Sequence, residues 1–489
     1  MSTSQQALQP TVKSPGSVIP FVVDLDGTLL KSDVLFECMM AFVRSQPWRC
    51  LSLLGWLAQG KAYLKKQLAQ STYIDVSLLP YDPDVLAMIE EQRRQGRKIV
   101  LATASYHSLA RRIGEHLQMF DDIFATRLEC NLSGHHKRDL LIEQFGERGF
   151  DYVGNSLEDL KIWRSARYAY VVNASASVLL GVKSLDNIVQ PIRSGVTGFG
   201  AWRKALRIHQ WVKNALIFVP LLAAHQIANP LLFWHGLLAF LFFGLCASGV
   251  YVLNDLLDLE DDRGHPTKCT RPFASGQLSI KSGLMVCPLL LIVSLGGAWW
   301  WLPPQFVVVL AFYYVLTLAY SLKLKRVMTL DVVTLALLYT LRIIAGGAVF
   351  NLELTAWMLA FSMFIFLSLA LVKRYTELLV VSRSGRTDKT SGRDYYPADM
   401  AMLSSLGAAS GYLAVMVLAL YIRDGATVAL YDHPQIIWLA CPLLLFWITR
   451  VWILTHRGLM KDDPLVFALK DRWSLIVGAL FCLVFWSAT

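Results

Sequence analysis

A soluble α/β domain joined to an all-helical polytopic membrane domain of about nine transmembrane helices is the fold class the sequence predicts, on three observations. Charged residues occur at ordinary soluble density over the first 200 residues, whereas long later stretches contain no Asp, Glu, Lys or Arg. From residue 18 to about 172, short apolar runs alternate with amphipathic helical segments, the pattern of an open parallel sheet. Beyond Lys213, two uncharged stretches of 41 residues each (214–254 and 282–322) are broken near their middles, by Asn229-Pro230 and by Pro303-Pro304. A bilayer core takes about 20 apolar residues per helix, so each stretch is a pair of spans joined by a tight turn.

Composition narrows the function classes. The 489 residues are 55% apolar, 12% aromatic and 17% charged, with a mean hydropathy of +0.44. These values exclude disorder, collagen and a small disulfide-stapled fold. The formal net charge of +10 is what positively charged cytosolic loops produce in a membrane protein, so no nucleic-acid partner is expected. The eight cysteines form no C-x-x-C pair and read as buried thiols of a reducing compartment. MSTSQQALQPTVKSPGS has neither a basic start nor an apolar core, so it reads as a disordered tail and not a signal peptide. The expected organisation is a tail at 1–17, an α/β domain at 18–192 with an inserted cap at about 32–81, a linker at 193–202 and a membrane domain at 203–489.

The expected strands of the first domain are 18–24, 98–103, 121–126, 151–154 and 168–172. Ligands of such sheets sit at the carboxyl ends of the strands. The first strand runs into Asp24-Leu25-Asp26-Gly27-Thr28, two carboxylates two residues apart at a turn. One of them can attack phosphorus while the other handles a proton. Thr103 ends the second strand and can hold a phosphoryl oxygen, Lys137 opens a later helix and can balance phosphate charge, and the fourth strand ends in Gly154-Asn155-Ser156-Leu157-Glu158-Asp159. Asp159 supplies the hard oxygen that magnesium prefers.

These four motifs, in this order over residues 18 to 190, resemble the haloacid dehalogenase superfamily of phosphatases. The resemblance implies a Rossmann-like fold with a helical cap. Asp24 becomes the nucleophile, Asp26 the general acid and base, and Thr103 and Lys137 the phosphate ligands. Magnesium is implied at Asp24, Asp26, Asn155 and Asp159. Asn155 stands where the family usually has Asp, which lowers the negative charge of the site and leaves open an active phosphatase or a phosphate-binding relic.

Further spans fit about 330–350, 355–372, 402–422, 434–451 and 473–488. The loops on the side of the first domain carry 22 Lys and Arg between them, and the opposite turns carry one, Arg423. The positive-inside rule then makes the N-terminal domain cytosolic and, with nine spans, puts the C-terminus outside. At the end of the second span, Asn254, Asp255, Asp258 and Asp262 fall within roughly 100 degrees of helical arc and form one face of oxygen ligands. A helix C-terminus prefers cations, so carboxylates gathered there suggest bound magnesium on a diphosphate.

The run Asn254-Asp255-x-x-Asp258-x-x-x-Asp262, with His265-Pro266-Thr267-Lys268 and Arg271-Pro272, resembles the UbiA superfamily of intramembrane prenyltransferases. The match extends to His209-Gln210-Trp211-Val212-Lys213-Asn214, Tyr320-Ser321 with Lys323 and Lys325, the Asp331–Arg342 segment and Lys373-Arg374-Tyr375-x-Glu377. More closely, it resembles the decaprenyl-phosphate phosphoribosyltransferase branch, because Lys323, Lys325, Arg326, one Asp331 and the intramembrane Arg342 stand where a plain prenyltransferase presents a second acidic motif. It implies a helical horseshoe that moves 5-phosphoribose from phosphoribosyl pyrophosphate to a polyprenyl phosphate. Lys213, Lys268, Arg271, Lys323, Arg342 and Lys373 would clamp the phosphates. The first domain would then remove the 5-phosphate. The alternative is transfer of a polyprenyl group from its diphosphate to an aromatic acceptor, beside a regulatory or unrelated first domain. The expected location is the bacterial inner membrane, in cell-envelope synthesis, and a homo-oligomer is left open.

Overall fold

The computed structural model describes residues 19–128, 130–192, 198–383, 393–425, 431–460 and 463–488. The expected tail at 1–17 and linker positions 193–197 lie outside them. The chain divides into two compact units, Met1–Trp202 with Asp255–Gly283, and Arg203–Asn254 with Leu284–Thr489.

The first unit is built on a six-stranded sheet, β1 (Phe21–Val23), β2 (Ile99–Tyr106), β3 (Asp122–Thr126), β4 (Asp151–Gly154), β5 (Ala169–Val172) and β6 (Ile188–Ile192). All neighbours run parallel, in the order β3-β2-β1-β4-β5-β6. The five expected strands form, and β6 is an addition. Strand alternation divides β1 between two cores: Phe21 and Val23 pack in one apolar cluster, Val22 in the other. Burial on both faces is why the strand reads as an unbroken apolar run. Because β1 pairs with β2 on one side and β4 on the other, the strand order reverses at its carboxyl end, where a ligand crevice opens.

The chain leaves the sheet after β1 and returns through an antiparallel bridge between Leu30 and Tyr81. Between them lies the cap, α1 (Val34–Ser45), α2 (Ser52–Ala58) and α3 (Lys61–Ser71). Asp33 caps α1 by accepting from Leu35 N. The helices that complete the layers are α4 (Pro83–Arg94), α5 (His107–Leu117), α6 (His135–Phe145), α7 (Leu160–Ser165) and α8 (Ala176–Val182). The segment 255–283 joins this unit through α1. Glu37 accepts from both Arg263 Nη2 (2.6 Å) and Nη1 (3.1 Å), and Arg44 pairs with Asp261 at 2.6 Å.

In the second unit about nine spans are expected, and the long apolar helices account for seven. Among the described residues seven helices are long and apolar enough to cross a membrane: Pro230–Leu257, Ile280–Trp301, Pro304–Leu322, Leu330–Phe350, Ala356–Arg383, Pro397–Ile422 and Pro434–His456. The first predicted span is instead a 3-10 stretch, Ile208–Phe218, followed by the short helix Val219–Ala223. Hydropathy registers its apolar content but not its polar anchors. Trp211 Nε1 donates to Ser248 (2.9 Å), Lys213 Nζ to Asp463 (2.7 Å), and the Asn214 side chain accepts from Arg342 (3.1 Å). Such tertiary ties hold a backbone that a regular helix would not follow. The last predicted span is the 17-residue helix Arg472–Ala488. Close packing uses small residues: a side chain at Gly407 would strike Trp452, and one at Gly411 would meet Ile448 at 2.6 Å.

Candidate functional site

The phosphatase-like site lies at the carboxyl ends of β1, β2 and β4, where the sheet brings together all six residues expected there. Lys137 Nζ donates to Asp24 Oδ1 (2.7 Å) and to the Tyr152 hydroxyl (3.1 Å), which in turn donates to Asp159 Oδ1 (2.8 Å). The other Asp159 oxygen accepts from Asn155 N (3.1 Å), Ser156 N (2.9 Å) and Ser156 Oγ (2.7 Å). Asp159 therefore holds the fourth-motif loop in shape and anchors the lysine chain. Asn155 is pressed against the first-motif turn, since a Cβ at Gly27 would collide with its amide nitrogen. Gly27 itself has φ +76, a conformation that favours glycine.

Asp26 is held differently. Its Oδ1 accepts from Val34 N (2.8 Å) at the start of α1, and its Oδ2 accepts from Ser105 Oγ (2.7 Å) and Thr103 Oγ1 (3.4 Å). Burial pushes Asp26 up to about 6, with Asp33 adding to the rise. Burial pushes Asp24 up to about 7 against the pull of Lys137. Burial also works against the Lys137 ammonium, but Asp24 and Asp159 outweigh it and its pKa is raised. The hydroxyls of Thr28 and Ser32, in the same loop, are buried without a hydrogen-bond partner among the described residues. Unspent donors beside a carboxylate and an ammonium fit phosphoryl oxygens. Asp24, Asp26 and the Asn155 carbonyl fit the hard-oxygen preference of magnesium.

The acidic segment departs from its expected geometry. The Pro230–Leu257 helix stops at Leu257, Asp258 has φ −102 and ψ 16, and a separate short helix runs over Leu259–Arg263. One continuous helical face over 254, 258 and 262 is therefore replaced by two helix pieces with Asp258 at the break. Asp255 and Asp262 still converge, with Arg271 Nη1 3.1 Å from Asp255 Oδ1 and 2.7 Å from Asp262 Oδ2, whereas Asp258 does not complete a group of three with them. Burial pushes Asp262 up to about 6, with Arg271 opposing. Among the described residues no three His, Cys, Asp or Glu side chains gather as a ready cation cage. The guanidinium nitrogen shared by two buried carboxylates stands where a cation is called for, so the donor set fits magnesium. Lys268 opens the short 3-10 turn Lys268–Thr270 and is half-buried.

In the second unit, Lys213 and Lys373 both face Asp463, at 2.7 and 3.9 Å. The Tyr339 ring lies under two cations, 5.2 Å from Lys213 Nζ and 5.7 Å from the Arg342 guanidinium carbon. Arg342 donates to Asn214 Oδ1, to Leu338 O (2.5 Å) and to the Tyr313 hydroxyl (3.2 Å), and stacks over Phe243 and Tyr313. These partners are all neutral. Two lysines thus share one carboxylate beside an arginine held by neutral groups, and the surplus charge suits an anion. A second group is balanced: Arg374 pairs with Asp331 and with Glu377, which also takes Arg393. Lys325 Nζ sits 3.5 Å from Asn254 Oδ1, and Lys323, which is exposed, caps the Pro304–Leu322 helix.

Sequence reasoning missed Ser105, Tyr339 and Asp463. Ser105 was within reach, because positions 103 and 105 of one strand face the same way. Asp463, 250 residues from Lys213, carried no local signal beyond its place before Pro464.

Fold and sites together define a membrane transferase joined to a hydrolase-like α/β domain. Residues 21–147 match the haloacid dehalogenase-like hydrolases. The chain belongs to the UbiA prenyltransferase family, which residues 215–476 match. Its seven apolar helices and this membership make it an integral membrane protein. It is 37% identical to a Sinorhizobium fredii protein designated y4nM and described as uncharacterized, over 96% of this chain and 90% of that one. It is 39% identical to the nodulation protein NoeC of Azorhizobium caulinodans over 59% of this chain and 93% of the relative. It is 32% identical to the decaprenyl-phosphate phosphoribosyltransferase of Mycobacterium tuberculosis over 60% of this chain and 98% of the relative.

Proposed function

We propose that the membrane domain transfers 5-phosphoribose from phosphoribosyl pyrophosphate to a polyprenyl phosphate, and that the α/β domain then removes the 5-phosphate. The observation that carries this reading is the surplus of cations around Tyr339: Lys213 and Lys373 share the carboxylate of Asp463, and Arg342, over the same ring, has only neutral hydrogen-bond partners among the described residues. A site for two anionic substrates needs that surplus, and the phosphoribosyltransferase relative agrees with it.

In the transfer step an oxygen of the lipid phosphate attacks the anomeric carbon of the ribose as the bond to pyrophosphate breaks. Lys213, Lys373 and Arg342 hold the phosphates, and Lys268, Arg271 and Lys323 complete the clamp. Asp255, Asp258 and Asp262, with Asn254, would hold magnesium, which would neutralise the diphosphate leaving group.

In the second step Asp24 attacks the 5-phosphate, held against Lys137, Thr103 and Thr28, while Asp26 protonates the ribose oxygen that leaves. Water activated by Asp26 then cleaves the aspartyl-phosphate. A group pushed up to about 6 is suited to both proton transfers.

The broken segment at 208–223 and the helix Arg472–Ala488 bring the proposed crossings to nine. In this reading the chain lies in a bacterial inner membrane with its N-terminal domain in the cytosol, which the distribution of Lys and Arg among the loops supports, and nine crossings then put the C-terminus outside.

The test uses purified full-length protein with radiolabelled phosphoribosyl pyrophosphate, a polyprenyl phosphate and magnesium, followed by mass analysis of the lipid fraction. The expected product is a lipid-linked ribose without its 5-phosphate. Asp24→Asn should accumulate the phosphorylated lipid and Asp258→Ala should abolish labelling. Absence of labelled lipid, beside transfer from a polyprenyl diphosphate to an aromatic acid, would establish the alternative.

A further inference from the structure

The cap carries a surface that neither proposed reaction uses. From Cys38 to Ile74 the chain has no Asp or Glu and five Lys or Arg. Within that stretch Trp48, Leu51, Leu54 and Leu57 are 80%, 79%, 67% and 48% exposed. On α2 the spacing of three keeps Leu51, Leu54 and Leu57 within roughly 120 degrees of arc, while Leu53 and Trp56, on the other side, pack against the core of the domain. Exposed apolar residues scattered singly are ordinary, but three large ones on one side of α2 and its N-cap, with exposed Trp48 in the turn just before, form a docking surface.

We infer that this face rests in the headgroup region of the bilayer, with anionic phospholipid as its occupant. Charge complementarity selects lipid over a second copy of the chain. Arg49 and Lys61 flank the apolar face and are exposed, with no acidic residue within the stretch to answer them, so a copy would set basic flank against basic flank. A basic, apolar helix with a Trp beside it is the composition that settles at a membrane surface. The bilayer is also present at high effective concentration, because the same chain crosses it. The consequence for catalysis rests on the proposed phosphatase reading: a cap seated on the leaflet brings Asp24 to a phosphate attached to a lipid and gives no advantage with a soluble phosphoester, which reaches Asp24 by diffusion.

The experiment uses the full chain in nanodiscs of phosphatidylcholine alone or mixed with phosphatidylglycerol. Amide hydrogen exchange of residues 47–60 should be slower in the anionic discs, and the protection should fall with added salt. The double variant Leu51→Asp, Leu54→Asp, at exposed positions, should lose that protection. It should hydrolyse the phosphoribosyl lipid in discs roughly tenfold more slowly and p-nitrophenyl phosphate at the wild-type rate. Equal exchange in the two kinds of disc overturns the inference, as does protection that is insensitive to phosphatidylglycerol and tracks a change in oligomeric mass. If the wild type shows lipid-dependent protection but hydrolyses no lipid phosphate, the surface stands and the phosphatase reading fails.

Discussion

Gly27 shows how a single position binds two motifs together. With φ +76 and the Asn155 amide against its α-carbon, it admits no side chain. Gly27→Ala should cost about 1–2 kcal/mol from the left-handed backbone alone, and it should displace Asn155. Dephosphorylation is then expected to fall steeply while transfer continues, which separate assays of the two half-reactions will show. Arg342 is the corresponding position in the membrane unit, where its planar group donates in three directions and stacks on aromatic rings. Arg342→Lys keeps the charge but not the fork, so transfer should drop by about 10–100-fold, the worth of one or two charge-assisted hydrogen bonds. A wild-type rate in that variant would show that charge alone suffices.

At the scale of elements, α1 is the piece on which most depends. Its first turn donates to Asp26, and further along it carries Glu37 and Arg44, which grip Arg263 and Asp261. The Glu37–Arg263 side chains are only 4% and 7% exposed. Glu37→Ala should therefore destabilise the first unit by about 3–5 kcal/mol, and the double variant Glu37→Ala, Arg263→Ala by less, because no buried charge is left alone. Thermal unfolding of the two variants side by side will decide. The strands around Asp24 were legible because a buried parallel strand writes itself as an apolar run ending in polar residues. The helix break at Asp258 was not, since a spacing of four reads the same whether or not the backbone stays helical between the residues. The 3-10 stretch at 208–218 was lost for a related reason: its path is set by bonds to Ser248, Asp463 and Arg342, all distant in sequence.

Over the whole molecule, the division into a charged α/β half and an apolar helical half was plain from composition, because a bilayer and water impose opposite demands on surface residues. What composition did not reveal is that 255–283 belongs with the first compact unit. Nine crossings predict that a tag after Thr489 is accessible from outside intact spheroplasts while one before Met1 is not; protease protection measures this, and two tags on the same side would return an even count. The discontinuous first unit also orders events on the ribosome. The sheet emerges early, but Glu37 has no Arg263 to pair with until the Pro230–Leu257 helix has been made. Domains ordinarily finish folding in the order of synthesis. Here the last pieces of the first unit arrive only after the first long apolar helix has reached the translocation machinery, so completion of the hydrolase-like unit becomes a sign that membrane insertion has begun.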